Sequence, residues 1–343
     1  MRSLVTRARK ALGSRLVEGF FETASKVGSL HPRANPERQG VTVDRDVAYR
    51  KRERARDGDT ERANLLDVYR PADVLQDPSG KPLPIVFYVH GGGFRILSKD
   101  THWVMALAFA RRGYAVFNVN YRLAPTHKYP AGLEDVCDAY AWVLENAARY
   151  GADPSRIVLA GESAGANLVT SLTLALHYRR DESFAAKVFA TGALPKAVLP
   201  ACGVFQVSDT DRFARRKPGF SAFLADRLRE VEHGYLGEVA PGISLDLADP
   251  LVMLERGVKP DRPLPPFFLP VGTKDPLLDD TRRLAQALEA LEVPVEAEYY
   301  EGEVHAFHAF VMRKAARQCW ADTFSFLARH GIGPTRIPVQ GAR

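Results

Sequence analysis

Serine hydroxyls, carboxylates and imidazoles become reactive only in one another's company, and this sequence offers them at three well-separated points. The first is Gly161-Glu162-Ser163-Ala164-Gly165, which directly follows an apolar run at 157–160 and opens a helical pattern at 164–178. A serine at a strand-turn-helix junction is forced into a strained backbone. Its hydroxyl is then exposed at a helix N-terminus, where the dipole favours developing negative charge. Gly161 and Gly165 fit the elbow because a side chain at either position would collide with the neighbouring chain.

A serine at its ordinary pKa is a weak nucleophile, so a histidine must take its proton and a carboxylate must fix that histidine's tautomer. After an apolar run at 267–271 comes Gly272-Thr273-Lys274-Asp275, and after another at 295–300 comes Gly302-Glu303-Val304-His305. Asp275 is closest to its strand end, whereas Asp279 and Asp280 fall where the next helix begins and read as ordinary first-turn charges. His305 lies in a loop, with His308 expected at the start of the final helix. His31, His102, His127, His177, His233 and His330 have no comparable placement and read as surface or structural.

A tetrahedral oxyanion needs donors that are already aimed. His90-Gly91-Gly92-Gly93-Phe94 follows the apolar run at 85–89. Successive glycines let the chain approach a substrate and present N–H groups to it, so Gly91, Gly92 and Gly93, with the Ala164 amide, are the expected oxyanion hole. His90 reads as a loop-bracing hydrogen-bond partner.

These residues need strands to hold them. Compact apolar runs at 85–89, 114–119, 157–160, 197–201, 267–271 and 295–300 read as buried parallel strands. Helical patterns at 103–111, 133–148, 164–178 and 281–291 separate most of them, with a closing helix near 310–329. This β-α alternation predicts an α/β fold with a sheet covered on both faces, preceded by strand-like stretches near 41–52 and 64–69. About 60 residues separate the runs ending near 201 and starting near 267, too many for a structureless connection. With its own helical stretch at 220–235, that insert reads as a helical cap, joined by an amphipathic helix at 4–24. The expected division is a cap of 1–40 and 205–262, a catalytic domain of 41–204 and 263–333, and a tail of 334–343.

Composition excludes several classes. The 343 residues are 46% hydrophobic and 26% charged, as in ordinary globular proteins. The net charge of +6 is concentrated at the start, where residues 1–56 hold 14 Arg and Lys against 6 Asp and Glu. The remainder is near neutral, which argues against nucleic acid; the basic leading helix could make weak contact with an anionic lipid surface. Three cysteines, Cys137, Cys202 and Cys319, are an odd number at no metal-like spacing. They read as buried apolar thiols in a reducing, cytoplasmic setting, with no metal and no cofactor. No secretion signal is read, and no run approaches the roughly 18 apolar residues that a membrane span needs.

Together these motifs closely resemble the bacterial hormone-sensitive-lipase-like esterases, the His-Gly-Gly-Gly branch of the α/β-hydrolase fold, in which the site residues come in the order Ser, Asp, His. The resemblance also includes Tyr121-Arg122-Leu123-Ala124-Pro125, Tyr129-Pro130-Ala131, Asp135, Asp275-Pro276-Leu277 and 302–307. It implies a mostly parallel eight-stranded sheet with a helical cap. It also implies a cofactor-free carboxylesterase acting on short- to medium-chain esters through an acyl-enzyme, and homodimers are common among similar esterases. Glu162 stands where Asp or Thr is usual, and Thr126 where Glu is usual; neither belongs to the triad. Two other readings use the same residues: hydrolysis of an amide, formamide, carbamate or lactone, and a non-catalytic ligand receptor on the same scaffold.

Overall fold

Seven consecutive buried residues, Leu-Pro-Ile-Val-Phe-Tyr-Val, leave β3 (Leu83–Val89) no solvent face, so it must lie mid-sheet with a layer on each side. Its side chains alternate accordingly. Ile85, Phe87 and Val89 enter one apolar cluster, while Val86 and Tyr88 enter another on the opposite face. The computed structural model describes residues 34–50, 62–72, 81–217, 219–238 and 242–334, with Gly19 and Thr23 as isolated helical positions. The basic helix expected at 4–24 otherwise lies outside the described residues, as does the expected tail beyond 334.

Among the described residues one sheet contains eight strands in the order β1-β2-β4-β3-β5-β6-β7-β8. They are β1 (Val41–Ala48), β2 (Leu65–Pro71), β3, β4 (Ala115–Val119), β5 (Ala152–Glu162), β6 (Ala197–Ala201), β7 (Phe267–Gly272) and β8 (Val295–Tyr300). β1 and β2 pair antiparallel, as do β2 and β4. All other neighbours are parallel. Parallel pairing requires crossovers, and the helices that make them cover the sheet.

Helix α1 (Trp103–Ala110) buries Met105 and Phe109 on one face, beside Phe326 and Leu327 from the closing helix. On the other face lie α2 (Ala131–Asn146), α3 (Ala164–His177) and α4 (Ser183–Ala190). The sequence patterns did not reveal α4, a two-turn helix whose buried residues are Ala185, Val188 and Phe189. Among the described residues three helices lie between β6 and β7: α5 (Arg212–Arg216), α6 (Ala222–Tyr235) and α7 (Pro250–Glu255). Then come α8 (Leu278–Ala290) and α9 (Lys314–Arg329). The closing helix therefore starts four residues later than its pattern suggests, and His308 lies before it, in the 3-10 turn Phe307–Ala309. No described helix is long and apolar enough to cross a membrane.

One expected surface charge is internal. Asp280 is fully buried, accepts the Phe205 amide at 2.9 Å and the Arg212 Nε at 3.2 Å, and so ties the start of the insert to α8. A first-turn carboxylate is ordinarily solvated; this one is enclosed because the chain leaving β6 folds back over it. Asp279, its neighbour, pairs with Arg216 at the surface. Asp280→Ala would leave the buried Arg212 guanidinium unpaired, and we expect a loss of about 3–5 kcal/mol. The midpoint of guanidinium unfolding checks this against Asp279→Ala, which should change it little.

Candidate active site

The parallel register delivers four loops to one edge. Glu162 at the end of β5 is level with Ala201 at the end of β6, and Gly272 of β7 is level with Tyr300 of β8. Ser163 follows β5 with φ 55° and ψ −117°, immediately before α3. Its amide donates to the Ala201 carbonyl at 3.0 Å, which holds the elbow against β6. A side chain on Gly165 would come within 2.1 Å of the Val89 carbonyl oxygen, and one on Gly161 within 2.7 Å of the same atom. The turn closes only because both are glycine.

Beyond β7 and β8 the loops are cross-linked. The Thr273 amide donates to the Tyr300 carbonyl and the Lys274 amide to the Glu303 carbonyl, each at 2.9 Å. This pairing carries Asp275 and His305 together, and His305 Nδ1 lies 2.8 Å from Asp275 Oδ2. The other carboxylate oxygen accepts the Leu277 amide at 2.8 Å, which fixes its orientation. A carboxylate can only accept here, so Nδ1 carries a proton, and in the neutral ring the lone pair is on Nε2. Burial disfavours the imidazolium, but the Asp275 charge, together with the adjacent Cys202, outweighs it and holds the His305 pKa well above its ordinary value.

Cys202, expected as an inert apolar thiol, lies in this group. It follows β6 directly with φ 41°, and its amide donates to the Pro270 carbonyl at 3.1 Å. Cys202, Asp275 and His305 each offer one ligating atom, all within 4.8 Å of one another. No sequence spacing could have signalled this, because the three residues leave three different strands.

The glycine loop is divided in its use. The Gly91 amide donates to Glu162 Oε1 at 2.6 Å and so is not available to a substrate oxygen. Among the described residues the amides of Gly92, Gly93 and Ala164 donate to no protein acceptor. Gly92 has φ 105°, and a side chain there would meet the Ile96 carbonyl oxygen at 2.1 Å. Helix α6 closes over the loop, with Val231 Cγ2 2.8 Å from where a Gly93 side chain would begin. Phe94 stacks on Tyr235 with ring centroids 3.7 Å apart. The His90 Nδ1 donates to the Gly91 carbonyl at 2.7 Å while its ring stacks on Tyr121 at 4.4 Å.

Glu162 and His102 are the polar pair that sequence reasoning passed over. Both are largely buried, with His102 Nε2 2.6 Å from Glu162 Oε1. Tyr88 donates its hydroxyl to the second oxygen. His102 Nδ1 lies 3.0 Å from the Ser98 carbonyl and 2.9 Å from the Thr101 hydroxyl. Burial opposes ionisation of Glu162, yet His102 prevails and draws the carboxylate pKa down to about 2; the same attraction raises that of His102. Burial dominates at His90 and His308, whose pKa values fall to about 3 and about 4. His308 is neutral and lines a cavity of about 30 Å3 with Tyr88, Phe109 and Trp320. The only hint of Glu162 was its departure from the usual Asp or Thr.

Asp135, from the motif residues, is also buried; it accepts the Arg122 amide at 2.8 Å and Arg50 Nη1 at 2.6 Å. It braces the loop behind the site.

The profile of the α/β-hydrolase fold family matches residues 86–309. Carboxylesterase NlhH of Mycobacterium tuberculosis is 37% identical over 235 residues, covering 67% of this chain and 68% of that protein. The solved hyperthermophilic esterase of the archaeon Pyrobaculum calidifontis superposes with a TM-score of 0.68 at 25% identity, covering 93% of this chain and 92% of its own. An esterase from the bacterial hormone-sensitive lipase family superposes with a TM-score of 0.67 at 25% identity, covering 91% and 90%. The chain belongs to the α/β-hydrolase family. Within it, the chain is a hormone-sensitive-lipase-like carboxylesterase, a carboxylic ester hydrolase.

Glu162 is held below its ordinary value of 4.5, so its stabilising effect is complete above that pH and is lost as the pH falls towards 2. We expect Glu162→Gln to destabilise the protein by about 3 kcal/mol near pH 6. In urea unfolding the gap from wild type should narrow between pH 4.5 and 2; a constant gap would contradict the ion pair.

Proposed function

We propose that Ser163 is the nucleophile, His305 the general base and Asp275 the acid that orients it, with Gly92, Gly93 and Ala164 donating to the oxyanion. The observation that carries this reading is the 2.8 Å bond from His305 Nδ1 to Asp275 Oδ2, which directs the Nε2 lone pair away from the carboxylate. Ser163 Oγ attacks the ester carbonyl carbon as its proton passes to Nε2. The C–O bond then breaks, and the same proton goes to the departing alcohol. Water, deprotonated by His305, attacks the acyl-enzyme and releases the acid and free Ser163. Gly91 acts differently from its neighbours: its amide holds the loop to Glu162.

The insert following β6, near 205–262, acts as the cap. Val231 of α6 against Gly93 narrows the space above the loop, which suits short- to medium-chain acyl groups. An ester panel of increasing acyl length, with one amide and one lactone, measures this preference. The three cysteines are free and buried, which suits a reducing compartment such as the cytoplasm.

Stoichiometric labelling by a fluorophosphonate should occur in the wild type and not in Ser163→Ala. That substitution should lower ester hydrolysis by on the order of a millionfold. Activity within tenfold of wild type would refute the assignment. Asp275→Asn should cost about ten-thousandfold, because the imidazole tautomer is no longer held.

The base works only when neutral, and its pKa is raised, so kcat/KM should fall on the acid side with a midpoint above the ordinary histidine value of 6.5. A pH profile flat from about 5 to 8 would exclude His305 as the base.

A further inference from the structure

Cys202 takes no part in the acyl chemistry, yet it is held where a thiol, an imidazole and a carboxylate converge. We propose that Cys202, His305 and Asp275 form an inhibitory binding site for a borderline-soft divalent cation of the Zn2+ type. Their ligating atoms lie within 4.8 Å of one another, and a sulfur, nitrogen and oxygen set matches Zn2+, whereas Mg2+ and Ca2+ demand oxygen.

The Cys202 backbone and the Asp275 carboxylate are already fixed, and the thiol can still turn about its Cα–Cβ bond. The Cys202 amide is bonded to the Pro270 carbonyl, and the Asp275 carboxylate is oriented by the Leu277 amide. His305 is adjustable too, with 34% of its side chain exposed, and it gives an ion a way in. Zinc bonds of about 2.0–2.3 Å set ligand atoms roughly 3.3–3.6 Å apart in a tetrahedron. The His305–Asp275 pair at 2.8 Å must therefore open slightly while the thiol moves in.

Charge favours the complex. The thiol loses its proton to solvent as the S–Zn bond forms, and His305 gives up its Nδ1 proton and takes one on Nε2, so a dication meets one thiolate, one carboxylate and one neutral imidazole that binds through Nδ1. The cluster is neutral overall, which limits the penalty of burying it. Three protein ligands leave a fourth position for water. A cation there engages the imidazole and cancels the carboxylate charge that supports it, so His305 can no longer accept a proton from Ser163.

The functional consequence rests on the proposed role of His305; the binding site does not. Full-length protein freed of metal by chelation is titrated with Co2+, and we expect a thiolate-to-cobalt charge-transfer band that is lost in Cys202→Ser and Cys202→Ala. Zn2+ should inhibit hydrolysis of a p-nitrophenyl ester reversibly by chelator. Relative to each variant's own metal-free rate, inhibition should require at least tenfold more Zn2+ without the thiol. No band in the wild type, a band retained in both variants, or equal Zn2+ sensitivity overturns the proposal.

A measurement on the wild type alone avoids reliance on folded variants: X-ray absorption of the zinc-loaded protein should show one sulfur near 2.3 Å. A shell of nitrogen and oxygen alone overturns the proposal. Fluorophosphonate labelling of the metal-free chain separates the two readings. Labelling without a cobalt band removes the metal site only, whereas a band without labelling removes the triad only.

Discussion

The register of β5, β6, β7 and β8 is the constraint on which the site depends. Because these strands are parallel, every loop that leaves them does so at the same edge, and ladder bonds make the ends of β5 and β6 level, and likewise those of β7 and β8. Ser163 and Cys202 lie one residue beyond their strands, Asp275 and His305 three and five residues beyond theirs. A slip of one residue would turn each side chain to the other face and scatter the group. The cost of convergence is local strain: Phe94, Ser163, Cys202 and Ala306 are four of the seven non-glycine residues with positive φ among those described. Buried strands and their covering helices hold those conformations in place.

Environment divides four histidines of one chemistry into two kinds. His102 and His305 each face a carboxylate, Glu162 and Asp275, and both are biased towards the charged form. His90 and His308 have burial without such a partner and stay neutral. Glu162 thereby links the elbow to the glycine loop: one carboxylate accepts the Gly91 amide and the His102 ring while lying next to Ser163 in the chain. Such a network is stable only because each member satisfies another; Glu162 without His102 would be an uncompensated buried charge.

The fold was legible because hydrophobic period and turn chemistry agree. The runs at 197–201 and 295–300 match β6 and β8 end to end, and the elbow stands where its strand-turn-helix context requires. Three helices were not legible: α5 and α7 are only 5 and 6 residues long, too brief for a period to declare itself, and α4 has only three buried residues to mark its face. The late start of α9 has a similar cause, since Phe310, Val311 and Met312 continue an apolar pattern while lying exposed in a turn. Asp280 was misread because a carboxylate in a first helical turn looks the same in sequence whether solvent or Arg212 faces it.

What the sequence determined by itself is everything that depends on neighbours along the chain: which residues alternate, where glycine is needed, and in what order a serine, a carboxylate and a histidine follow strand ends. Those are short-range consequences of sterics and solvation, written in residue type and spacing. Tertiary structure alone decided which groups share a charge or a proton. It engaged Gly91 with Glu162, buried His102, and brought a thiol to the Asp275–His305 pair. Electrostatic partnership acts through space over a few ångströms, and residues 73 positions apart or more, as Cys202 and Asp275 are, have no local signal by which to reveal it.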